Sequence, residues 1–250
     1  MRDRTGAVLV EERTPGEIHV TIDRHEQRNA LSTPILEALL DGVRCAERRR
    51  TRIIVISAVG EHFSAGADLD EITGCKDDRA WFDAMSNLTA ALTQSSAITV
   101  ASITGACIGA GLELAVGCDI RVASHDAFFA MPSVRMGLVY DPTAVTRIRA
   151  LVGPTAAQRL LVLGERMSAS DAHGHGLITS LTADANADTS HLISQLDTSL
   201  DAARETLRLI NAAEPTAPRW RDIHHRSLDT PERAAAVVRA RRRTSDKSAR

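Results

Sequence analysis

One acidic residue in a glycine-rich apolar stretch is the strongest candidate for chemistry in this sequence. The stretch runs from Ile103 to Arg121 and contains Gly109, Ala110 and Glu113. Its glycines allow a strand to turn sharply into a helix that begins near Gly109 or Ala110. The first amide groups of such a helix have no intrahelical partner and can receive an anion, or a carbonyl oxygen that becomes one. Glu113 lies one turn further on, so the spacing predicts that its carboxylate is within reach of whatever these N–H groups hold. The alternative is a buried glutamate that only complements the helix dipole.

A second junction of the same kind occurs earlier in the chain. Ile53 to Val59 is a nearly continuous apolar run, which is typical of a strand buried on both faces. It leads into Phe63 to Leu69, where Ala65, Gly66 and Ala67 form the turn. Each junction can therefore offer free backbone N–H groups at the end of a buried strand.

Alternating strands and helices surround these junctions, which predicts an α/β fold. The expected strands are Val8 to Glu12, Ile18 to Asp23, Ile98 to Ile103, Asp119 to Ala123, Ala127 to Ala130 and Leu177 to Leu181. The expected helices run from Thr33 to the Arg48-Arg49-Arg50 run, from about Asp78 to Gln94, from Thr143 to a break at Gly153-Pro154, from Thr155 to Leu163 and from Ser168 to His175. Met131 to Pro142 is expected to be a loop, and the chain beyond Asp188 to be helical with a solvated tail from Arg239 to Arg250.

Length and composition limit the classes of protein. The 250 residues are 44% hydrophobic, enough for one large domain and a helical appendage. The net charge is −2, and only Lys76 and Lys247 are lysines, so nucleic acid is not an expected partner. Scattered cysteines, and the absence of an apolar signal or bilayer-spanning run, predict a cytoplasmic protein that does not bind membranes. The histidine pairs His173/His175 and His224/His225 have no acidic or zinc-type pattern beside them, so no metal site is expected.

Four motifs in this order resemble those of the crotonase superfamily, the enoyl-CoA hydratase and isomerase fold. They are Asn29-Ala30-Leu31, FSAGADL from Phe63 to Leu69, GACIGAGLELAVGC from Gly105 to Cys118, and Ala169 to Ile178 with Ala172 and Gly176-Leu177. The resemblance extends from about Ile18 to Leu181. It implies a spiral of ββα turns over residues 1–185. It also implies a helical region over residues 186–250 that takes part in oligomerisation and covers the substrate site, in a homotrimer or a dimer of trimers.

The resemblance also implies an acyl-CoA thioester as substrate, with no cofactor besides the CoA that it carries. The thioester oxygen is expected between the N–H groups of Ala67 and Ala110. Substrate and CoA contacts are expected from Arg28, Ala65, Gly66, Asp68, Leu69, Gly109 and Ser133. Arg24 is an alternative to Arg28 near the phosphates, and for either arginine a solvated surface charge is the other interpretation.

Departures from the family pattern bear on the reaction. The first of the two hydratase glutamates matches Glu113, but the second falls at Ser133, so hydration by paired carboxylates is not expected. Asp141 matches the aspartate of dienoyl-CoA isomerases and 4-chlorobenzoyl-CoA dehalogenases, although it can instead be a turn residue before Pro142. Tyr140 matches a tyrosine of methylmalonyl-CoA decarboxylase-like members, although it can instead be a packed aromatic residue. A hydratase or isomerase using Glu113 is the leading hypothesis; a decarboxylase-like or dienoyl-CoA isomerase-like enzyme and a non-catalytic acyl-CoA binding protein are the alternatives.

Overall fold

The structure is a computed structural model that describes residues 2–196 and 200–211, together with Asp222, Ile223, Arg226, Thr230, Arg233 and Ala235. Its residues fall into two compact units that divide between Ser190 and His191. The histidines at 224 and 225 and the tail from Arg239 to Arg250 lie outside the described residues, so the predictions for them stay predictions. No helix in the described part of the chain is long and apolar enough to cross a membrane.

A largely parallel sheet of seven strands forms the centre of the first unit. The strands of the chain are β1 (Arg2–Thr5), β2 (Val8–Thr14), β3 (Glu17–Ile22), β4 (Ile53–Ala58), β5 (Ile98–Ile103), β6 (Ala106–Ile108), β7 (Ile120–Ser124), β8 (Phe128–Ala130), β9 (Met167–Ser168) and β10 (Ser180–Thr182). The order in the large sheet is β1-β2-β3-β4-β5-β7-β10. The pairs from β3 to β10 are parallel, whereas β2 pairs antiparallel with both β1 and β3. A smaller sheet has the order β6-β8-β9.

The described residues form seven α-helices. They are α1 (Thr33–Arg48), α2 (Arg79–Gln94), α3 (Ala110–Gly117), α4 (Pro142–Leu161), α5 (Ala169–Gly174), α6 (Ala185–Leu196) and α7 (Leu200–Ile210). Short 3-10 helices occupy His25–Gln27, Lys76–Asp78 and Pro132–Met136. The apolar stripe of α1 is buried, and every residue of α3 is buried. The helix with the candidate carboxylate therefore lies inside the core, where its position is set by packing.

Several boundaries differ from the sequence prediction. The strands β1 and β6 were not expected, and the segment expected to be a loop contains the 3-10 helix Pro132–Met136. The strand expected at Leu177 to Leu181 is Ser180–Thr182 instead, because the Leu177 N–H bonds the Ala172 carbonyl (2.8 Å) and so closes the end of α5. The predicted break at Gly153-Pro154 is confirmed, since Gly153 is non-helical (φ 76°, ψ 169°) within α4.

Candidate active site

The two glycine junctions lie against each other. Ser64 forms a parallel bridge with Cys107, in which the Ser64 N–H donates to the Ala106 carbonyl (2.9 Å). Gly66 has a φ of +106°, and a Cβ built on it would lie 3.0 Å from the Ile108 carbonyl oxygen. Only glycine accepts both this conformation and this close approach. The bridge thus places the end of the first junction beside the start of the second.

The first junction leaves the N–H of Ala67 without a partner. A second parallel bridge joins Ala67 to Leu31, with the Leu31 N–H donating to the Gly66 carbonyl (2.8 Å) and the Asp68 N–H donating to the Leu31 carbonyl (3.0 Å). In such a bridge the residues on either side of Ala67 supply the hydrogen bonds. Among the residues that the structure describes, the Ala67 N–H makes no hydrogen bond.

The second junction leaves the N–H of Ala110 free in the same way. Ala110 is the first residue of α3, and the preceding Gly109 adopts a φ of 54° while donating its own N–H to the Ala130 carbonyl (2.8 Å). Within the described ranges the Ala110 N–H has no hydrogen-bond acceptor, and it lies 3.7 Å from the Cβ that Gly66 would carry. Two unpaired amide donors from distant parts of the chain are therefore close together.

Glu113 lies one helical turn beyond Ala110 and is only 3% exposed. Burial raises the pKa of its carboxyl group from 4.5 to about 7. The Tyr140 hydroxyl hydrogen-bonds the carboxylate and lowers this pKa, the charge of Asp141 raises it, and the charge of Arg147 lowers it. Glu113 can therefore exchange a proton near neutral pH, which an exposed glutamate does poorly because its conjugate base is too weak.

Tyr140 and Asp141 both lie beside Glu113, but their side chains make different interactions. Tyr140 is half-buried, packs against the core and has its pKa raised by burial and by the charge of Glu113. Asp141 is the N-cap of α4, and its Oδ1 accepts from the N–H groups of Thr143 (2.8 Å) and Ala144 (3.2 Å). This is the local role that an aspartate before Pro142 commonly has. The structure thus brings both candidates to the site, but one Asp141 oxygen is already occupied.

The candidate CoA contacts divide into two groups. Arg28 is exposed and lines an open cavity of about 450 Å³ together with His25, Glu26, Asn29, Gly60, Glu61 and His62. Leu69 is also 64% exposed. By contrast, Arg24 is ion-paired with Asp68 (2.5 Å), and the N–H groups of Ala65 and Asp68 are already bonded to the carbonyls of Arg28 and Leu31. Arg28 is therefore better placed than Arg24 to receive a phosphate.

A family model described as enoyl-CoA hydratase/isomerase matches residues 12–229. The chain belongs to the enoyl-CoA hydratase/isomerase family. A Mycobacterium bovis protein named as the enoyl-CoA hydratase echA6 is 32% identical over 221 residues, covering 88% of this chain and 90% of the relative. A solved structure of an enoyl-CoA hydratase/isomerase family protein from Hyphomonas neptunium matches with a TM-score of 0.83 at 26% identity and covers 90% of each chain.

A second solved structure comes with a ligand. It is a Thermobifida fusca protein described as an enoyl-CoA hydratase, in complex with acetoacetyl-CoA, and it matches with a TM-score of 0.76 at 25% identity over 93% of this chain and 95% of that one. These likenesses confirm the predicted α/β fold and the resemblance to the crotonase superfamily.

Ser133 is the residue at which the sequence predicts a departure from the two-glutamate pattern of hydratases, and this stays a prediction. The residue is buried in the 3-10 helix Pro132–Met136, and its carbonyl accepts the Leu138 N–H (3.1 Å). In the described structure its hydroxyl makes no hydrogen bond. A serine hydroxyl does not exchange a proton at neutral pH in the way a carboxyl group does, so Ser133 cannot replace a carboxyl group as a general acid or base.

Sequence reasoning missed Arg147. This half-buried residue of α4 donates from Nη2 to the Thr93 hydroxyl on α2 (3.0 Å) and lies close enough to lower the pKa of Glu113. No local spacing signals this role, because α4 meets Glu113 only in the folded chain.

The histidines considered as metal ligands do not form a cluster. His173 and His175 are exposed, and no group of three or more potential metal ligands occurs among the described residues.

Proposed function

We propose that this protein is an acyl-CoA-processing enzyme that stabilises a thioester enolate. The N–H groups of Ala67 and Ala110 hold the thioester oxygen, and Glu113 moves a proton at the adjacent carbon. The observation that carries the proposal is the pair of unpaired donors, with a buried carboxylate of pKa about 7 one turn from one of them. Donors fixed in advance stabilise a developing oxyanion without reorganisation, and each typically contributes about 10²-fold to 10³-fold in rate.

Transfer of a proton between carbons is the reaction that suits a single carboxylate. Glu113 takes the proton from one carbon, the electron pair of that C–H bond delocalises onto the thioester oxygen, and the protonated Glu113 returns the proton to another carbon as the double bond shifts. No electrons are lost or gained overall. Addition of water needs a second group to hold and activate the water, and Ser133 does not supply one. Isomerisation is therefore favoured over hydration.

Tyr140 supports a second candidate reaction, because its hydroxyl hydrogen-bonds Glu113. In a decarboxylase-like reaction the bond from the α-carbon to a carboxylate breaks, CO₂ leaves, and the electron pair forms the same enolate. A proton from the Tyr140 and Glu113 pair then completes the acyl group. A dienoyl-CoA isomerase-like use of Asp141 has less support, since that carboxylate caps α4.

The CoA portion of the substrate is proposed to lie by Arg28 and the cavity that it lines, with its adenine end at the backbone around Ala65, Asp68 and Leu69. Gly66, Gly109 and Ser133 are proposed to lie nearer the acyl group. The acetoacetyl-CoA complex of the Thermobifida fusca relative supports a CoA thioester as ligand. CoA enters with the substrate, and no separate cofactor is part of the proposal.

Assembly as a homotrimer or dimer of trimers, in the cytoplasm, completes the proposal. The Arg135 guanidinium donates to the Gly164 carbonyl (3.1 Å) and joins the 3-10 helix Pro132–Met136 to the chain after α4. Apolar side chains in these two segments are exposed: Val134, Met136, Val162 and Leu163. Such side chains are suited to a contact between subunits, which light scattering at micromolar concentration tests. Free thiols at Cys45, Cys75, Cys107 and Cys118 suit a reducing compartment.

Exchange of the α-protons of butyryl-CoA in D₂O tests the proposal, because it detects enolate formation whatever the full reaction is. We expect exchange by the wild type and a fall of at least about 10²-fold in Glu113→Gln, with binding by calorimetry unchanged within a few-fold. Proline is tolerated at the first position of a helix and has no N–H. Ala110→Pro should therefore lose about 10²-fold to 10³-fold, whereas the matched control Ala169→Pro, at the first position of α5, should keep its rate.

Products distinguish the remaining reactions. Mass spectrometry after incubation with 3-enoyl-CoA, dienoyl-CoA, methylmalonyl-CoA and crotonyl-CoA reports isomerisation, decarboxylation or hydration, and butyrate serves as the control without CoA. Binding of acyl-CoAs without exchange or products would establish an acyl-CoA binding protein instead. Equal affinity for crotonate and crotonyl-CoA would exclude both.

A further inference from the structure

Arg24 is held in an ion pair that the proposed reaction does not use. Its Nη1 donates to Asp68 Oδ2 (2.5 Å) and to the Ala30 carbonyl (3.1 Å). The side chains are 26% exposed for Arg24 and 12% exposed for Asp68, so water screens the pair only partly. The hydrogen bond from Arg24 is the main reason that the pKa of Asp68 is lowered, which keeps this carboxylate ionised.

The two acceptors of Arg24 lie on opposite sides of the bridge that carries Ala67. Ala30 precedes Leu31 on one segment, and Asp68 follows Ala67 on the other. A single guanidinium therefore ties together the two segments whose pairing leaves the Ala67 N–H free. The same Asp68 carboxylate accepts the Asp70 N–H (3.2 Å) through Oδ1 and so also fixes the turn that follows.

The bridge needs such a constraint because it is small. It is an isolated bridge outside any named strand, with one backbone hydrogen bond on each side of Ala67. The Ala67 N–H belongs to the peptide group between Gly66 and Ala67, so its direction depends on the backbone conformation of Gly66, whose φ is +106°. Glycine restricts its own backbone less than any other residue, so the direction of this N–H depends on contacts outside the bridge.

We propose that Arg24 and Asp68 are positioning residues, which hold the Ala67 N–H in the direction that a thioester oxygen requires. This inference rests on the proposed oxyanion role of Ala67. The pair also balances charge: an Asp68 carboxylate without Arg24 would place a negative charge next to the donor and oppose the negative oxygen that develops there. Loss of Arg24 therefore destabilises the transition state in two ways. The Ala67 N–H is no longer held in the required direction, and the negative charge of Asp68 is no longer compensated.

The experiment compares Arg24→Gln, Arg24→Lys, Asp68→Asn and the double variant Arg24→Gln/Asp68→Asn. Infrared difference spectra of bound [1-¹³C]butyryl-CoA measure how far the site polarises the thioester carbonyl, and α-proton exchange in D₂O gives kcat and KM. A misaimed donor costs up to about 10²-fold in rate. We expect Arg24→Gln to lose most of the carbonyl shift and about 10-fold to 10²-fold in kcat, with KM changed less than about threefold.

The conservative and double variants separate positioning from general damage. Arg24→Lys keeps the charge and one hydrogen bond, so it should recover part of the shift. The double variant has no uncompensated carboxylate and should lose no more than Arg24→Gln alone, because the two residues act as one unit. Asp68→Asn is nearly isosteric. If Arg24→Gln fails to fold, the carbonyl shift and kcat are measured on Asp68→Asn instead. The control is Arg159→Gln, which breaks an exposed ion pair with Glu165 (2.7 Å).

Two results would overturn the inference. A full carbonyl shift and full kcat in Arg24→Gln and in Asp68→Asn would show that the pair does not aim the donor, while the proposed function would stand. If the wild type binds butyryl-CoA without any shift of the carbonyl band, the proposed oxyanion site is refuted, and the inference about Arg24 and Asp68 is refuted with it.

Discussion

The pH dependence of α-proton exchange should report the ionisation of Glu113. With a pKa of about 7, the carboxylate fraction is about one tenth at pH 6 and about nine tenths at pH 8. Only the carboxylate removes a proton, so kcat/KM for exchange should rise about tenfold over this range. A carboxyl group at its ordinary pKa would change the rate by less than about 5% between the same limits. The size of the rise therefore tests whether burial has raised the pKa of this residue.

Variants of the neighbouring residues should move the midpoint of this profile in opposite directions. Tyr140→Phe removes the hydroxyl that lowers the pKa of Glu113, so the midpoint should move to higher pH. Arg147→Gln removes a cation and should act in the same direction. Asp141→Asn removes an anion that raises the pKa, so the midpoint should move to lower pH, and asparagine can still cap α4.

The assay is proton exchange from butyryl-CoA, followed by mass spectrometry from pH 5.5 to about 9, with Glu113→Gln as the baseline. A wild-type rate that stays flat between pH 6 and pH 8 would refute the assignment of the base to a buried Glu113. Midpoints that move in the same direction in Tyr140→Phe and Asp141→Asn would refute the electrostatic account. If Tyr140 itself donates the proton, Tyr140→Phe should lower the plateau instead of moving the midpoint.

Three further predictions concern stability and specificity. The folded-state pKa of Glu113 is raised from 4.5 to about 7, so its stabilising contribution is complete below pH 4.5 and is lost as the pH rises through 7, a difference of about 3 kcal/mol. Glu113→Gln should therefore melt about 5 to 10 °C higher than the wild type at pH 8 and no higher at pH 4, and an equal gain at both would contradict this. Asn29 is fully buried and makes three side-chain hydrogen bonds, so Asn29→Ala should lower the free energy of unfolding by about 3 kcal/mol in denaturant titrations, and a loss below about 1 kcal/mol would refute this. Ser133→Glu should raise crotonyl-CoA hydration at least about tenfold, measured as loss of the enoyl absorbance, whereas a similar gain in Ser133→Gln would rule out a second carboxylate as the cause.

Local features of the sequence determined the two junctions and the strands before them. The runs Ile53 to Val59 and Ile98 to Ile103 indicate buried parallel strands because both faces of such a strand are covered. Gly66 and Gly109 mark turns because other residues adopt their backbone angles only at a cost. The position of Glu113 one turn into a helix also follows from spacing alone. The sequence could likewise predict the family, since its motifs consist of these locally constrained residues.

Tertiary structure decided which groups are free to act. Whether the Ala67 N–H is unpaired depends on a bridge to Leu31. The state of Glu113 depends on Arg147 of α4 and on Tyr140 and Asp141, the two residues just before that helix. A pKa reflects every charge and the burial around a group, and these are properties of the folded chain. The ion pair of Arg24 with Asp68 likewise joins residues far apart in sequence. Residue spacing constrains neighbours along one element, whereas contacts between elements form only when the chain packs.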